Sequence, residues 1–297
     1  MSKTNLTTTA DITTAAREID FVTRFGRSWQ SISEVLGIMR PIKKAPGTRL
    51  TSYKATITLE NGNVAEGEDI PLSKAKVTPV KYEDLTIEKY AKGVTIESVE
   101  KYGADIAIEK TDEAFRNELI GKTLDKFYAF LQTGSLKLTE STFQMGIAMA
   151  IAKVKDKFKK MRKDVSSIAV FVNTIDAYRY LGASQITMQN AFGMSYIENF
   201  LGAEKVIISS EIPENTVIAV PSDNIVLYYI DPSDSQFAQL GLDFTVEGET
   251  NLIGFHSQGV YTNMTGETYA LLGMMLWAEY LDAVAVCKIN PVENSTE

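Results

Sequence analysis

Few residues in this chain are of the types that carry out catalysis. The sequence contains one histidine, His256, and one cysteine, Cys287. Zinc sites draw several ligands from Cys and His, so a site of that kind is nearly excluded. The phosphate-binding, dinucleotide-binding and nucleophile-elbow patterns GxxxxGKS/T, GxGxxG and GxSxG are absent from the sequence. We therefore expect no catalytic residues, no metal site and no cofactor.

The remaining candidate residues have simpler structural explanations. His256 and Cys287 lie in strand-like segments, where a half-buried sheet histidine and a buried, inert thiol are the favoured interpretations. The acidic residues Glu66, Glu68 and Asp69 could offer oxygen ligands to a hard cation. Their spacing is not that of an EF-hand loop, so we interpret them as part of a solvated loop.

The composition is that of an ordinary globular protein. Its 297 residues are 44% hydrophobic and 23% charged, which allows about two domains and a sizeable core. A net charge of −8 argues against a surface that coats nucleic acid throughout, although a local basic patch is compatible with it. The single cysteine fits a reducing compartment. We expect neither a secretory signal nor a membrane span.

Apolar residues near the N-terminus recur at intervals of four, four, three and four residues, which predicts a short helix. These residues are Phe21, Phe25, Trp29, Ile32 and Leu36. The opposite face carries Arg17, Arg24 and Arg27. This segment either docks on its own domain or forms an arm that binds a neighbouring subunit.

Strict alternation of side chains over residues 49–59 predicts a half-buried strand. Tyr53, Ala55, Ile57 and Leu59 would share one face of it. Asn61-Gly62 is a turn signal, and alternation resumes at Val80 and Tyr82. The pattern predicts a long two-stranded ribbon. Its charged tip carries Glu66, Glu68 and Asp69 first and then Lys74 and Lys76.

Such a ribbon is marginally stable by itself in water. A long irregular tip inside a compact domain is uncommon unless it is functional or disordered. The simplest remedy is a neighbouring subunit that covers the apolar face of the ribbon. The alternative is that the core of the same chain covers it.

Helices and strands alternate through the rest of the sequence. We predict a helix from about residue 105 to 132 and a second helix that Thr139 and Glu140 open. The basic end of that second helix is interpreted as a solvated face favoured by the helix dipole. Further helices are predicted at 175–181 and 188–201. Strands are predicted at 168–172, 206–209, 217–220, 225–230, 244–246, 252–261 and 283–289.

This order of parts resembles the major capsid proteins of tailed bacteriophages, which have the Hong Kong 97-type fold. The segment AEGEDIPLSKAKVTPVKYEDLTIEKYAKGVTIE also looks like the extended loop, or E-loop, of such proteins. The resemblance implies an α+β fold. Its parts would be an N-terminal arm (1–45), an E-loop ribbon (46–90), a P-domain with a long spine helix (91–138), an α/β A-domain (139–241) and closing P-domain strands (242–297).

The function that the resemblance implies is structural and not enzymatic. Copies of the chain would assemble in the bacterial host cytoplasm into pentamers and hexamers of an icosahedral virion shell. The shell would enclose double-stranded phage DNA, with contacts that lack sequence specificity. Other expected partners are a portal protein and, in some phages, scaffold, decoration or head-completion proteins. No membrane is expected to take part.

The resemblance also implies two sets of interface residues. The E-loop set is Tyr53, Ile57, Leu59, Glu66, Glu68, Asp69, Lys74, Lys76, Val80 and Tyr82. The arm set is Arg17, Phe21, Arg24, Phe25 and Trp29. Some family members form Lys–Asn crosslinks, and Lys74 and Lys76 lie on the right loop. No convincing Asn–Glu pair accompanies them, so crosslinking is not predicted.

Two other functions remain open from the sequence. An encapsulin-type nanocompartment shell would keep the same fold and enclose cargo enzymes in place of DNA. A soluble α/β hydrolase or binding protein would place its pocket within residues 139–241. The sequence offers no pairing of nucleophile and base for that third function.

Overall fold

The computed structural model describes residues 37–45, 47–61, 63, 69–165, 167–184, 189–191, 194–198, 200–222, 224–246 and 252–290. The predicted N-terminal helix lies outside the described residues, and so do Arg17, Phe21, Arg24, Phe25 and Trp29. Glu66 and Glu68 also lie outside them.

Fifteen strands and five helices are found among the described residues. The strands are β1 (Arg40–Lys43), β2 (Arg49–Thr58), β3 (Lys74–Asp84), β4 (Glu88–Thr95), β5 (Leu136–Glu140), β6 (Ile168–Asn173), β7 (Gln189–Ala191), β8 (Met194–Glu198), β9 (Lys205–Ser209), β10 (Thr216–Pro221), β11 (Ile225–Ile230), β12 (Thr245–Val246), β13 (Ile253–Val260), β14 (Thr265–Ala278) and β15 (Ala285–Ile289). The helices are α1 (Ile96–Tyr102), α2 (Thr111–Gln132), α3 (Phe143–Lys160), α4 (Thr174–Ser184) and α5 (Ser235–Gln239). The predicted α+β class is confirmed.

Strands β6 and β10 lie inside a seven-stranded sheet with the order β5-β15-β10-β6-β9-β8-β7. Every residue of these two strands is buried, because both faces of the sheet are covered. Successive side chains of a strand point to opposite faces. Phe171 and Ile218 therefore join the core that contains helix α2, whereas Val170 and Val217 join the core that contains helix α3.

Helix α2 is the long beam that the sequence predicted, and it connects the two large sheets. Its buried residues include Leu119, Leu124 and Phe127, which share one core with both sheets. The Phe127 ring meets the Phe171 ring edge to face at 5.5 Å between centroids. The 22 α-helical residues give a length of about 33 Å.

The second large sheet has six strands in the order β1-β11-β14-β13-β12, with β4 also paired to β14. Strand β14 is 14 residues long. Its first half pairs with β13 and β4, and its second half pairs with β11. This long strand therefore pairs with three of the other strands and connects the two halves of the sheet.

Strands β2 and β3 form a separate two-stranded sheet, which confirms the predicted ribbon. The chain between them, residues 59–73, forms the tip. We call residues 49–84 the ribbon from here on. The rest of the described chain is called the body. The chain passes from the ribbon into strand β4, which pairs with β14 in the six-stranded sheet of the body.

Three local predictions are corrected by the structure. Thr139 and Glu140 lie in strand β5 and do not open helix α3. That helix begins at Phe143, where the Thr142 hydroxyl accepts a hydrogen bond from the Met145 amide at 3.3 Å. The described part of the predicted helix 188–201 contains strands β7 and β8, followed by a bend at Phe200, and is not helical. The first six residues of the predicted helix 105–132 form a π-helical turn, Asp105–Lys110.

None of the helices within the described residues is long and apolar enough to cross a bilayer.

Candidate subunit-interface surfaces

The ribbon presents apolar side chains to solvent. Ile57 pairs with Ala75, and Ala55 pairs with Val77, so Ile57 and Val77 lie on one face of the ribbon. Both side chains are 61% exposed. An exposed apolar strand surface of this kind is a candidate site of contact with another molecule.

The opposite face of the ribbon is polar. Thr58 pairs with Lys74, and these residues alternate with Ile57 and Ala75 along their strands. Lys74 and Lys76 are exposed. The end of the ribbon near the tip is therefore amphipathic, yet within one chain both of its faces meet solvent there.

The tip carries three more exposed apolar residues. Leu59, Ile70 and Leu72 are 68%, 73% and 94% exposed. Two hydrogen bonds shape the turn: the Glu60 amide donates to Ser73 Oγ at 3.2 Å, and the Asn63 amide donates to Asn61 Oδ1 at 3.0 Å. Asp69 is also exposed. The charged tip residue thus accompanies Ile70 and Leu72, which were not among the predicted interface residues.

A bulge interrupts the ribbon near its base. Tyr53 pairs with Pro79 and Ser52 pairs with Lys81, which leaves Val80 without a cross-strand partner. A bulge of this kind bends a strand and increases its local twist. The side chains of Tyr53, Val80 and Tyr82 lie outside the described part of the structure, so their predicted contacts stay predictions.

The base of the ribbon is fixed to the body by apolar packing. Leu85 is buried in a cluster with Ile230, Phe237 and Leu271. Arg49 Nε also donates to Asp84 Oδ1 at 2.8 Å, and this contact lowers the pKa of Asp84. That ion pair is solvent-exposed, so it adds little stability. The ribbon is held at this end, whereas its described side chains near the tip are exposed.

The segment before the ribbon packs on its own chain. Ile38 and Met39 are buried in the core that contains α2. Strand β1 runs parallel to β11, and Lys43 Nζ reaches Asp231 at 3.0 Å and Asp234 at 3.3 Å. The described part of the predicted arm, residues 37–45, therefore packs on its own chain.

A second exposed apolar surface lies at the turn between β13 and β14. Tyr261 is 88% exposed, and Met264 and Ile96 are also exposed. The Ile96 amide donates to the Met264 carbonyl at 3.2 Å, so these residues lie together. This surface was not predicted from the sequence, because the strand predicted over residues 252–261 includes Tyr261. A tyrosine beside the turn residues Asn263 and Gly266 was the available signal.

His256 and Cys287, whose side chains are of types that can carry out catalysis, both lie in surroundings that indicate a structural role. His256 pairs with Tyr269 between β13 and β14, and its ring meets that of Phe244 at 6.4 Å. Cys287 is buried. Burial, with the nearby Glu140 carboxylate, raises the pKa of Cys287 to about 11, so its thiol is unreactive near neutral pH. The described residues contain no group of three or more His, Cys, Asp or Glu that could hold a metal ion.

One shallow cleft of about 270 Å³ lies beside the π-helical turn. Its polar lining includes Lys92, Asp112 and Thr268. Lys92 Nζ is 2.6 Å from Asp112 Oδ1, and Thr268 Oγ1 donates to Asp112 Oδ1 at 2.9 Å. Because these groups satisfy one another, the cleft serves the junction between sheet and helix.

No protein-family model and no curated protein matches the sequence. Solved structures do match the fold. A capsid structure of cyanophage P-SCSP1u has a TM-score of 0.63 at 9% identity, over 94% of this chain and 93% of that chain. The mature capsid of bacteriophage PhiM1 has a TM-score of 0.61 at 8% identity, over 98% and 97%.

An encapsulin structure also matches. The SrpI encapsulin complex of Synechococcus elongatus PCC 7942 has a TM-score of 0.54 at 11% identity, over 96% of this chain and 95% of that chain. At such low identities the likeness concerns the fold. The predicted Hong Kong 97-type fold is confirmed.

Proposed function

We propose that this protein is the major capsid protein of a tailed bacteriophage. It is a structural subunit, and copies of it assemble as pentamers and hexamers into an icosahedral shell around double-stranded DNA. Two observations support this proposal. The fold matches phage capsid structures over nearly the whole chain, and the ribbon carries an uncovered apolar face.

The ribbon is the observation that carries the proposal. Among its described residues, the large exposed apolar side chains are Ile57, Leu59, Ile70, Leu72 and Val77. Complete burial of one such side chain contributes roughly 1.5–3 kcal/mol, and part of this is offset by the cost of association. A neighbouring copy that covers the ribbon would therefore stabilise a hairpin that is marginal by itself. The same burial would provide the main apolar contact between subunits of the shell.

The subunit would be divided as follows. Residues 1–45 would form the arm, 46–90 the E-loop, and 139–241 the A-domain. Residues 91–138 and 242–297 would form the P-domain, with helix α2 as its spine. The ribbon, β2 and β3, falls inside the proposed E-loop. Strands β5 and β15 complete the seven-stranded sheet from the flanking segments, so the two domains would share a sheet.

The proposed interface residues belong to two sets. The ribbon set is Tyr53, Ile57, Leu59, Glu66, Glu68, Asp69, Lys74, Lys76, Val80 and Tyr82. The arm set is Arg17, Phe21, Arg24, Phe25 and Trp29. The apolar members would provide strength, whereas the charged members would fix the register between neighbours. The exposed Ile70, Leu72 and Val77 extend the ribbon set.

Additional partners follow from the same proposal. A portal protein would occupy one vertex, and some phages add scaffold, decoration or head-completion proteins. The particle would assemble in the bacterial host cytoplasm and the protein would reside in the virion. Its contacts with packaged DNA would be independent of sequence.

An encapsulin-type compartment is the second candidate, and the match to the SrpI encapsulin favours it. The genes beside this one separate the two functions. Terminase, portal and tail genes would indicate a phage, whereas a peroxidase or ferritin-like gene would indicate a compartment.

Assembly of the purified full-length chain tests the shell function itself. We expect closed particles of megadalton mass in sedimentation velocity and in negative-stain micrographs. Small, shapeless oligomers under all conditions of salt, pH and concentration would contradict the proposal.

A further inference from the structure

A dense cluster of cations follows the middle of helix α3. Seven of the twelve residues 153–164 are Lys or Arg and two are Asp, in a chain whose net charge is −8. We call the exposed cations of this segment the basic face. They are Lys153, Lys155, Lys159, Lys160, Arg162 and Lys163. The net charge of this segment is therefore positive, whereas the net charge of the whole chain is negative.

The buried side of α3 explains why the cations project into solvent. Ile147, Ile151, Val154 and Phe158 form the buried stripe that packs on the seven-stranded sheet. The cations occupy the remaining positions of the helix and the turn after it. Because the sheet fixes this helix along its length, the basic face is a rigid surface.

Only part of the positive charge is neutralised within the chain. Lys160 Nζ pairs with Asp156 at 2.7 Å, and Lys157 Nζ pairs with Asp282 at 2.8 Å. Within the described residues, Lys155, Lys159 and Arg162 have no acidic partner. Lys155 and Lys159 are four residues apart, so they lie side by side on the helix.

The helix dipole accounts for only some of these cations. Its effect is confined to the last turn, where Lys157, Lys159 and Lys160 lie. Lys153 and Lys155 come before that turn, and Arg162 follows the end of the helix. Like charges four residues apart destabilise a helix. The dipole therefore leaves unexplained why cations extend over the whole segment.

We infer that the basic face binds the phosphate backbone of duplex DNA, without sequence specificity, and lines the inside of the shell. This inference rests on the proposed function. The aromatic side chain of the segment, Phe158, is buried and cannot stack on an unpaired base. Single-strand binding needs such stacking, whereas lysines that meet phosphates are sufficient for a duplex.

Binding by unassembled full-length subunits, collected by size-exclusion chromatography, tests the surface. A labelled 30-base-pair duplex should bind, and three cation–phosphate contacts predict a log–log salt slope of about −2.7. The affinity should then fall about 40-fold between 50 and 200 mM salt. The triple variant Lys155→Glu, Lys159→Glu and Arg162→Glu should bind at least about tenfold more weakly.

A charge-matched control separates this face from net charge. The variant Lys89→Glu, Lys101→Glu and Lys122→Glu changes three exposed lysines elsewhere and should keep most of the binding. The milder pair Lys155→Gln and Lys159→Gln covers the case in which the triple variant fails to fold. Absence of binding by wild-type subunits, or equal losses in both triple variants, would overturn the inference.

Closed particles test the orientation of the face. Duplex added to sealed particles should not reach it, whereas the same duplex should bind unassembled subunits. Binding to sealed particles that the triple variant abolishes would overturn the internal location. Subunits that bind DNA but never form particles would support the DNA-binding surface and contradict the proposed shell function. Failure of the inference and failure of the proposed function are therefore distinguishable.

Discussion

Lys92 Nζ lies 2.6 Å from Asp112 Oδ1, and this ion pair joins strand β4 to the first turn of helix α2. Lys92 Nζ also donates to Thr111 Oγ1 at 2.7 Å. Thr111 Oγ1 in turn donates to the Ala107 carbonyl at 2.7 Å, inside the π-helical turn. One cation thus fixes the point at which the π-helical turn becomes the long α-helix.

Replacement of Lys92 tests this junction. The side chains of Lys92 and Asp112 are 11% and 26% exposed, so Lys92→Met leaves a partly buried carboxylate without its cation. Because solvent still reaches Asp112, we expect a loss of about 1–3 kcal/mol in the free energy of unfolding, less than for a fully buried pair. Chemical denaturation of unassembled subunits measures it.

The exposed pair Lys160–Asp156 provides the control. Its side chains are 73% and 53% exposed, so Lys160→Met should change the free energy of unfolding by less than about 0.5 kcal/mol. Equal losses in the two variants would show that the Lys92 contact has no special structural role.

The apolar face of the ribbon predicts a separation of folding from assembly. Ile57→Thr with Val77→Thr keeps β-branched residues in the strands and removes apolar surface that is already exposed. Subunit stability should therefore stay within about 0.5 kcal/mol. The concentration needed for assembly should rise about tenfold or more, because each neighbour contact loses apolar burial.

Light scattering and sedimentation measure that concentration. The matched control, Leu240→Thr with Leu242→Thr, removes exposed apolar residues outside the ribbon. If both double variants shift assembly equally, general surface hydrophobicity and not the ribbon controls it.

The tip can be shortened without loss of strand pairing. Thr58 and Lys74 are the last cross-strand pair, so Asn-Gly in place of residues 59–73 would close a two-residue hairpin. We expect folded subunits with an unchanged circular dichroism spectrum that fail to form particles. Normal particles from this variant would show that the tip makes no essential contact between neighbours.

The base of the ribbon should respond differently from its tip. Leu85 is 3% exposed and packs in the body, so Leu85→Ala should cost about 2–5 kcal/mol of unfolding free energy. Leu72→Ala, at a residue that is 94% exposed, should leave subunit stability unchanged. Denaturation of unassembled subunits checks both, and a neutral Leu85→Ala would mean that the ribbon is not anchored there.

Cys287 predicts a loss of stability at alkaline pH. Burial raises its pKa from 9.0 to about 11, so between these values the unfolded chain releases the thiol proton that the folded chain keeps. Stability should fall as the pH rises through this window. The fall should be smaller in Cys287→Ala, measured as the difference in unfolding free energy between pH 8 and 10.5. Identical pH profiles would contradict the burial of the thiol.

The elements that were predicted correctly from the sequence show one clear hydrophobic period, either that of a strand or that of a helix. Alternation of apolar and polar side chains over residues 49–59 predicted the ribbon. Apolar residues at helical spacing predicted helix α2, and these are Ile120, Leu124, Phe127 and Leu131. Strand β5 was assigned wrongly because Thr139 and Glu140 suit a helix start, although Leu136 and Leu138 alternate with polar residues. Strand β14 was missed because its apolar run has no polar alternation when neighbouring strands and the core cover it.

The interface is harder to predict than the fold. Ile57 and Val77 look like ordinary core-facing strand residues, and only the structure shows that their own chain leaves them in solvent. In the proposed shell the partner that covers them would be another copy, and a single sequence carries no record of its position. The proposed contacts of the arm residues would depend on a neighbour in the same way.

The outermost strand β7 has three residues, Gln189–Ala191. Free sheet edges invite other chains to add strands without limit, as in fibrils, and a very short edge offers few backbone groups for this. Growth by continuation of the large sheet is thereby discouraged. The short edge therefore lowers the tendency of unassembled copies of the chain to form amyloid-like aggregates through this sheet.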